Sequence, residues 1–279
     1  MAFPVTGALA TITSITSSTD VYQLLTQALK INQVRINEEA EQFDISELSG
    51  SGSSVERVAG LISGTMDYEG VYSKSTPRIG NSGLVTFASG YVQRVTGWKI
   101  DVDFGEIDIT SMDGTAITAR KFMPSGLYSW SGSYTAHAVD NTALSKPTAI
   151  NNAGAAAEFK LTEDSTDPAL SGNIIVTSLG QAIRKGDLQV AEYAFQGAGD
   201  ITETVGSTLP GLRRTTYGVW GRPDWDSDDN GTPQMVLTTY TSRTLTTTVF
   251  LKSVSVECMV GQPIKVSGQI RFSGSYSRA

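Results

Sequence analysis

Residues 97–110 read GWKIDVDFGEIDIT, and their apolar side chains recur at every second position. Trp98, Ile100, Val102 and Phe104 fall on one side of an extended chain, and Lys99, Asp101 and Asp103 on the other. Gly105 offers a turn or bulge, after which Ile107 and Ile109 resume the alternation. Residues 127–138, LYSWSGSYTAHA, repeat the pattern with Tyr128, Trp130, Gly132, Tyr134 and Ala136 on one face. A two-residue period with one apolar face describes an antiparallel strand pair covering a core.

Working outward, this stretch has an echo. Residues 43–72, FDISELSGSGSSVERVAGLISGTMDYEGVY, resemble residues 107–138, IDITSMDGTAITARKFMPSGLYSWSGSYTAHA. Phe43-Asp44-Ile45-Ser46 matches Ile107-Asp108-Ile109-Thr110, Gly60-Leu61 matches Gly126-Leu127, and Tyr68 matches Tyr134. Residues 178–197 in turn resemble 253–274, with Gly186 on Gly261 and Phe195-Gln196-Gly197 on Phe272-Ser273-Gly274. The pieces run first start, second start, second end, first end. That order predicts two copies of one β module, the second inserted in the first. The expected boundaries are 1–89 for the first part of copy one and 90–205 for copy two. Residues 206–233 then form a linker or bridging arm, and 234–279 complete copy one. Paired modules on one chain imply quasi-symmetric assembly, because each chain carries two similar interfaces.

The remaining chain reads as all-β with a minor helix. Thr19 and Asp20 can cap a short amphipathic helix over residues 21–29, and residues 31–36 alternate as a strand. Residues 140–168 read as a polar loop with a short helix near 152–158, and 200–233 as a longer irregular stretch. Residues 235–275, rich in Thr, Val and Ile, predict three or four antiparallel strands. Nothing alternates helix with strand, so a parallel α/β fold is not expected. At 279 residues the chain has room for two cores. Its net charge of −7 argues against gripping nucleic acid, which needs clustered Lys and Arg. A single cysteine, Cys258, precludes an intrachain disulfide and reads as a buried small hydrophobe. The first residues lack a basic start and a long apolar run, so neither signal peptide nor membrane insertion is expected.

Catalytic chemistry finds little support. His137 is the only histidine, and no nucleophile elbow, phosphate-binding glycine loop or Cys/His metal spacing is present. No enzyme activity and no cofactor are expected. Asp226, Asp228 and Asn230, followed by Gly231, fit the opening of a calcium loop, but Leu237 stands where a bidentate Glu belongs. An acidic solvated loop is the preferred reading there. More telling is the acidic striping of both copies: Glu38, Glu39, Glu41 and Asp44 in the first, Asp101, Asp103, Glu106 and Asp108 in the second. Either this is a solvated outer face, or these acids line a negatively charged bore that repels phosphate.

GWKIDVDFGEIDITSMDG, followed by PSGLYSWSGSY at 124–134 and the ending LSGNIIVTSLGQAIRKGDLQVAEYAFQGAGDI at 170–201, resembles the tail tube (major tail) proteins of long-tailed, siphovirus-type bacteriophages. The first copy departs from that pattern, with Gly64 where Trp130 stands and no Pro before Gly60. The resemblance implies β-sandwich or small-barrel modules, six of which form a ring whose inner hairpins close a continuous barrel. Rings then stack into a tube that encloses the tape-measure protein and conducts DNA without binding it specifically. Two modules per chain imply a trimeric ring in the virion tail, made in the host cytoplasm. The eight acids become lumen-lining candidates. Ser49, Gly50, Ser51, Gly52, Ser53, Ser54, Asp113, Gly114 and Thr115 become candidates for contact between rings. The alternatives are a carbohydrate-binding or adhesive β-sandwich using Trp98, Trp130, Trp220 and Trp225, or another tube or ring component.

Overall fold

A computed structural model describes residues 11–16, 29–44, 57–72, 79–80, 83–87, 92–111, 119–137, 155–161, 169–182, 189–204, 234–238 and 244–278. These form twelve strands: β1 (Thr11–Thr16), β2 (Leu29–Asp44), β3 (Arg57–Tyr72), β4 (Leu84–Phe87), β5 (Val92–Asp108) and β6 (Phe122–His137) come first. β7 (Ala155–Lys160), β8 (Ala169–Ala182), β9 (Val190–Thr204), β10 (Gln234–Thr238), β11 (Thr244–Met259) and β12 (Lys265–Arg278) follow. The protein is all-β: every strand pairing is antiparallel, all twelve belong to one sheet, and no helix occurs among the described residues. The expected helix over 21–29 lies outside the described residues except for Leu29, which opens β2. The short helix expected near 152–158 is corrected, since Ala155–Lys160 is β7. Alanine favours helix intrinsically, but here Ala157 and Phe159 are buried between β4 and β8, and burial outweighs a preference of well under ~1 kcal/mol per residue.

β4, β5, β6, β9, β8 and β7 pair in that order, and β7 returns to β4, so six strands close on themselves. Closure pairs both sides of each of these strands over part of its length. The other six run β1-β10-β11-β12-β3-β2, and β11 joins them to β5. The two sets therefore share a pairing order, with β1, β2, β3, β10, β11 and β12 standing where β4, β5, β6, β7, β8 and β9 stand.

Register agrees as well. In the first hairpin Arg35 faces Asp67; in the second, Lys99 faces Ser133, a shift of 64 on one strand and 66 on the other. Both hairpins carry two irregularities at the same shift of 64 on the first strand, Ile31/Gln33 with Ala40/Gln42 and Val95/Gly97 with Phe104/Glu106. Between the hairpins and their neighbours, Thr65 faces Arg271 as Ser131 faces Gln196. In the closing hairpins, Val176 faces Phe195 and Leu251 faces Ile270, a shift of 75 on each strand, and both hairpins bulge immediately afterwards. This places Gly199 with Gly274, both held at positive φ (88° and 80°), where a side chain would strain the backbone. The match of Phe195-Gln196-Gly197 to Phe272-Ser273-Gly274 is thus two residues out of register.

The buried side of the sheet follows the alternation. Trp98, Ile100, Val102 and Phe104 are buried, as are Trp130, Tyr134 and Ala136. Inside the closed set Tyr134 stacks on Tyr193 at 4.5 Å, and Phe159 lies between Trp98 (5.7 Å) and Phe195 (5.1 Å). Cys258 is buried near the Leu161 and Gly80 carbonyls, and burial pushes its thiol pKa up to about 12, so it is a core residue and not a nucleophile.

Candidate functional site

The face opposite the core is polar across six adjacent strands. One row reads Arg35, Asp67, Gln269, Ser253, Asp103, Ser129, each directly opposite the next. The neighbouring row reads Gln33, Glu69, Ser267, Ser255, Asp101, Ser131. Between them runs the core-side row Val34, Tyr68, Gly268, Val254, Val102, Trp130. A period of two on every strand, combined with matched register, makes each row uniform in character. The polar rows line a concavity of about 790 Å³ that spans β2, β3, β12, β11, β5 and β6. Few of its charges are matched one to one. Lys99 Nζ lies 2.8 Å from Asp101, while Asp67 accepts from Asn37 (2.8 Å) and Gln269 (2.6 Å). Asp103 and Glu69 are exposed, as is Arg35. Such a surface offers carboxylates and hydroxyls over a wide area and concentrates no single reactive group.

The eight acids singled out in the sequence do not form one set. Glu39, Asp101 and Asp103 lie on the polar face. Glu106 sits at its rim, 3.6 Å from both Lys252 Nζ and Arg271 Nε. Glu38 faces the opposite way, in line with Val34 and Ile36 and across from Gly64. Glu41 and Asp108 meet at a single cation: Arg120 bonds the Glu41 carboxylate and lies 2.5 Å from Asp108. Asp108 also accepts from the Thr110 hydroxyl (2.5 Å) and backbone N–H (2.9 Å). Those Thr110 bonds, and then Arg120, hold the Asp108 carboxyl below its usual range, while Glu41 first and Asp108 second raise the Arg120 guanidinium. Asp44 ends β2 opposite Arg57.

Arg120 escaped the sequence reading because its partners lie 79 and 12 residues away. Its backbone is engaged too, donating to Ile62 O and accepting from Gly274 N–H, both 2.9 Å. Next to it, Ser273 Oγ accepts from Phe122 N–H (2.9 Å) and donates to Phe122 O (2.7 Å). Arg35, Asp67, Glu69 and Gln269 were missed as well, although the alternation Lys265, Ser267, Gln269, Arg271 in β12 was a signal for the last.

Ser49 to Ser54, Asp113 to Thr115, Asp226, Asp228, Asn230, Trp220 and Trp225 all lie outside the described residues. Among the described residues no cluster of His, Cys, Asp and Glu could hold a metal ion. Trp98 and Trp130 are buried, and Trp130 donates its indole N–H to Gly199 O at 2.8 Å, so neither is available to stack on a sugar. His137 faces Arg94 and Val190 across the sheet, at the strand end.

No family model matches the chain, and no curated protein does. Among solved structures it is similar to a chain from the tail of an empty gene transfer agent particle with C6 symmetry. That match has 16% identity and a TM-score of 0.37, covering 44% of this chain and 95% of that one. A chain from the virion of a native gene transfer agent particle gives 16% identity and a TM-score of 0.38, covering 46% and 99%.

Proposed function

We propose that this chain is a structural, non-enzymatic tail-tube protein of a phage-like virion. It carries two copies of one β module, the second inserted in the first. The observation that supports this most is the agreement of the two six-strand sets in pairing order, register and bulge position. By that pairing the second copy begins at β4, near residue 84, and ends near 204. Three chains supply six modules, and three chains form one ring of the tube. Stacked rings enclose the tape-measure protein and later conduct DNA.

The polar concavity becomes the wall of the bore in this reading, with Asp67, Glu69, Asp101 and Asp103 as its acids and Glu39 and Glu106 beside it on the same face. Carboxylates spaced along the wall repel phosphate, so a duplex slides without sticking. Electron microscopy of the purified protein tests assembly: rings or tubes with a central hole are expected, and monomers alone overturn the proposal. Charge reversal tests the bore. Asp101→Lys with Asp103→Lys is expected to leave tubes intact and to impair DNA delivery, whereas unchanged infectivity removes these acids from the wall.

A further inference from the structure

Among the described residues one strand pairing joins the two strand sets, and the second, equivalent pairing is not made. Inside the chain β11 pairs with β5 from Ser253↔Asp103 to Met259↔Gly97. The counterpart of β11 is β8, at a shift of 75, and that of β5 is β2, at a shift of 64. On β8, β7 covers only residues 169–174, and residues 175–182 have no strand partner on that side among the described residues. β2 has β3 as its single strand neighbour among the described residues. β2 and β8 of one chain are not paired with each other.

These two edges differ from their counterparts in exposure. On β11, Val254 and Val256 are buried and Ser253, Ser255 and Glu257 are half-buried, whereas Ser178, Gly180, Gln181 and Ala182 on β8 are exposed. Leu179, Val34 and Ile36 pack against the core yet stay only partly covered. Exposed strand edges carry unsatisfied backbone groups that template pairing. A contact between two different edges of the same chain is heterologous, so it propagates from copy to copy and closes only if the rotation allows.

We infer that β8 of one chain pairs antiparallel with β2 of the next, in the register that β11 and β5 use within the chain. Ser178 then faces Glu39, Leu179 faces Glu38, Gly180 faces Asn37, Gln181 faces Ile36 and Ala182 faces Arg35. The partner is a second copy of this chain. The inference rests on the ring reading above and adds to it the residues that close the ring. The polar face continues across the new junction, because Ser178 and Glu39 are the counterparts of Ser253 and Asp103, and Ser178 lies in the row of Ala194, Ser133 and Lys99.

Cysteine cross-linking tests the register. Residues directly opposite on antiparallel strands place their Cβ atoms ~4.5–5.5 Å apart, close to disulfide range, and diagonal neighbours lie about 7–8 Å apart. Ser178→Cys with Glu39→Cys is expected to give disulfide-linked dimers and trimers on oxidation, a ladder that stops at three chains. Ser178→Cys with Asn37→Cys is expected to give much less, and buried Cys258 does not compete. Co-expressed single variants, one carrying each cysteine, are expected to give dimers only, which also covers poor folding of the double variant. Rings or tubes by microscopy without the ladder, or with equal cross-linking from Asn37→Cys, overturn the junction and leave the tube reading standing. Monomers by microscopy and light scattering overturn both.

Discussion

The two strand sets pair alike but fill their cores differently. In the closed set Trp130 occupies the space over Gly197, where a Cβ would sit 2.0 Å from the indole. In the other set the bulk has changed strands: Gly64 stands at the Trp130 position, and Phe272, at the Gly197 position, covers it so closely that a Cβ there would sit 2.5 Å from the ring. The tyrosine positions differ in another way. Tyr134 stacks on Tyr193, whereas Tyr68 lies over Gly268, whose Cβ would meet the phenol at 2.6 Å. At the Trp130 site the large ring has moved to the facing strand, whereas at the Tyr193 site the other set carries one ring where the closed set carries two. Edges differ too, since one set is closed by β4 while the other ends at β2.

Several substitutions would break or sharpen this comparison. Trp130→Ala and Phe272→Ala should each cost about 3–5 kcal/mol in urea unfolding, because each is the large partner of its pair. A much smaller loss at Phe272 would mean that the open set packs loosely. Gly197→Phe alone should cost about 1–3 kcal/mol or more from overpacking. Combined with Trp130→Gly, it reproduces the Gly64/Phe272 arrangement, and the pair should recover about 0.5–3 kcal/mol against the sum of the singles. Simple additivity would show that the swap is not a local exchange.

Ser273→Ala removes both bonds to Phe122 and should cost roughly 1–3 kcal/mol. Its counterpart in the closed set is Ala198, so Ala198→Ser should change stability by less than about 0.5 kcal/mol. The smallest effect is expected at the Arg120 clamp, which ties the tips of β2 and β5. Asp108 has a lowered pKa, so its contribution is present above the ordinary carboxylate value of ~4 and is lost as the pH falls through the lowered one. Arg120→Ala should therefore lower Tm slightly at neutral pH, and the gap to the unsubstituted protein should close below about pH 4. A gap that persists in acid would assign the effect to the Arg120 stem.

The sequence made the β2–β3 and β5–β6 hairpins legible, because period-two alternation and the Phe43/Ile107 and Tyr68/Tyr134 matches coincide with the observed register. The C-terminal match slipped by two residues for a physical reason. Gly197 and Gly274 look equivalent but serve different ends: one clears the Trp130 ring, the other takes a positive φ that Gly199 takes in the closed set. A two-residue slip keeps every side chain on its face, so alternation cannot detect it. The acids illustrate the complementary limit. Glu38 and Glu39 are neighbours in sequence and point to opposite sides of the sheet, while Glu41 and Asp108 are far apart and share Arg120.

By itself, then, the sequence determined the strand class, the position of both long hairpins and the apolar face of each, because these depend on local periodicity. Only the tertiary structure decided which strands are neighbours, which acids share a surface, and where the edges remain open. Those properties depend on pairing between residues more than 200 positions apart, as between Asp67 and Gln269. Hydrogen bonding across strands selects such partners by register, and no local pattern encodes it.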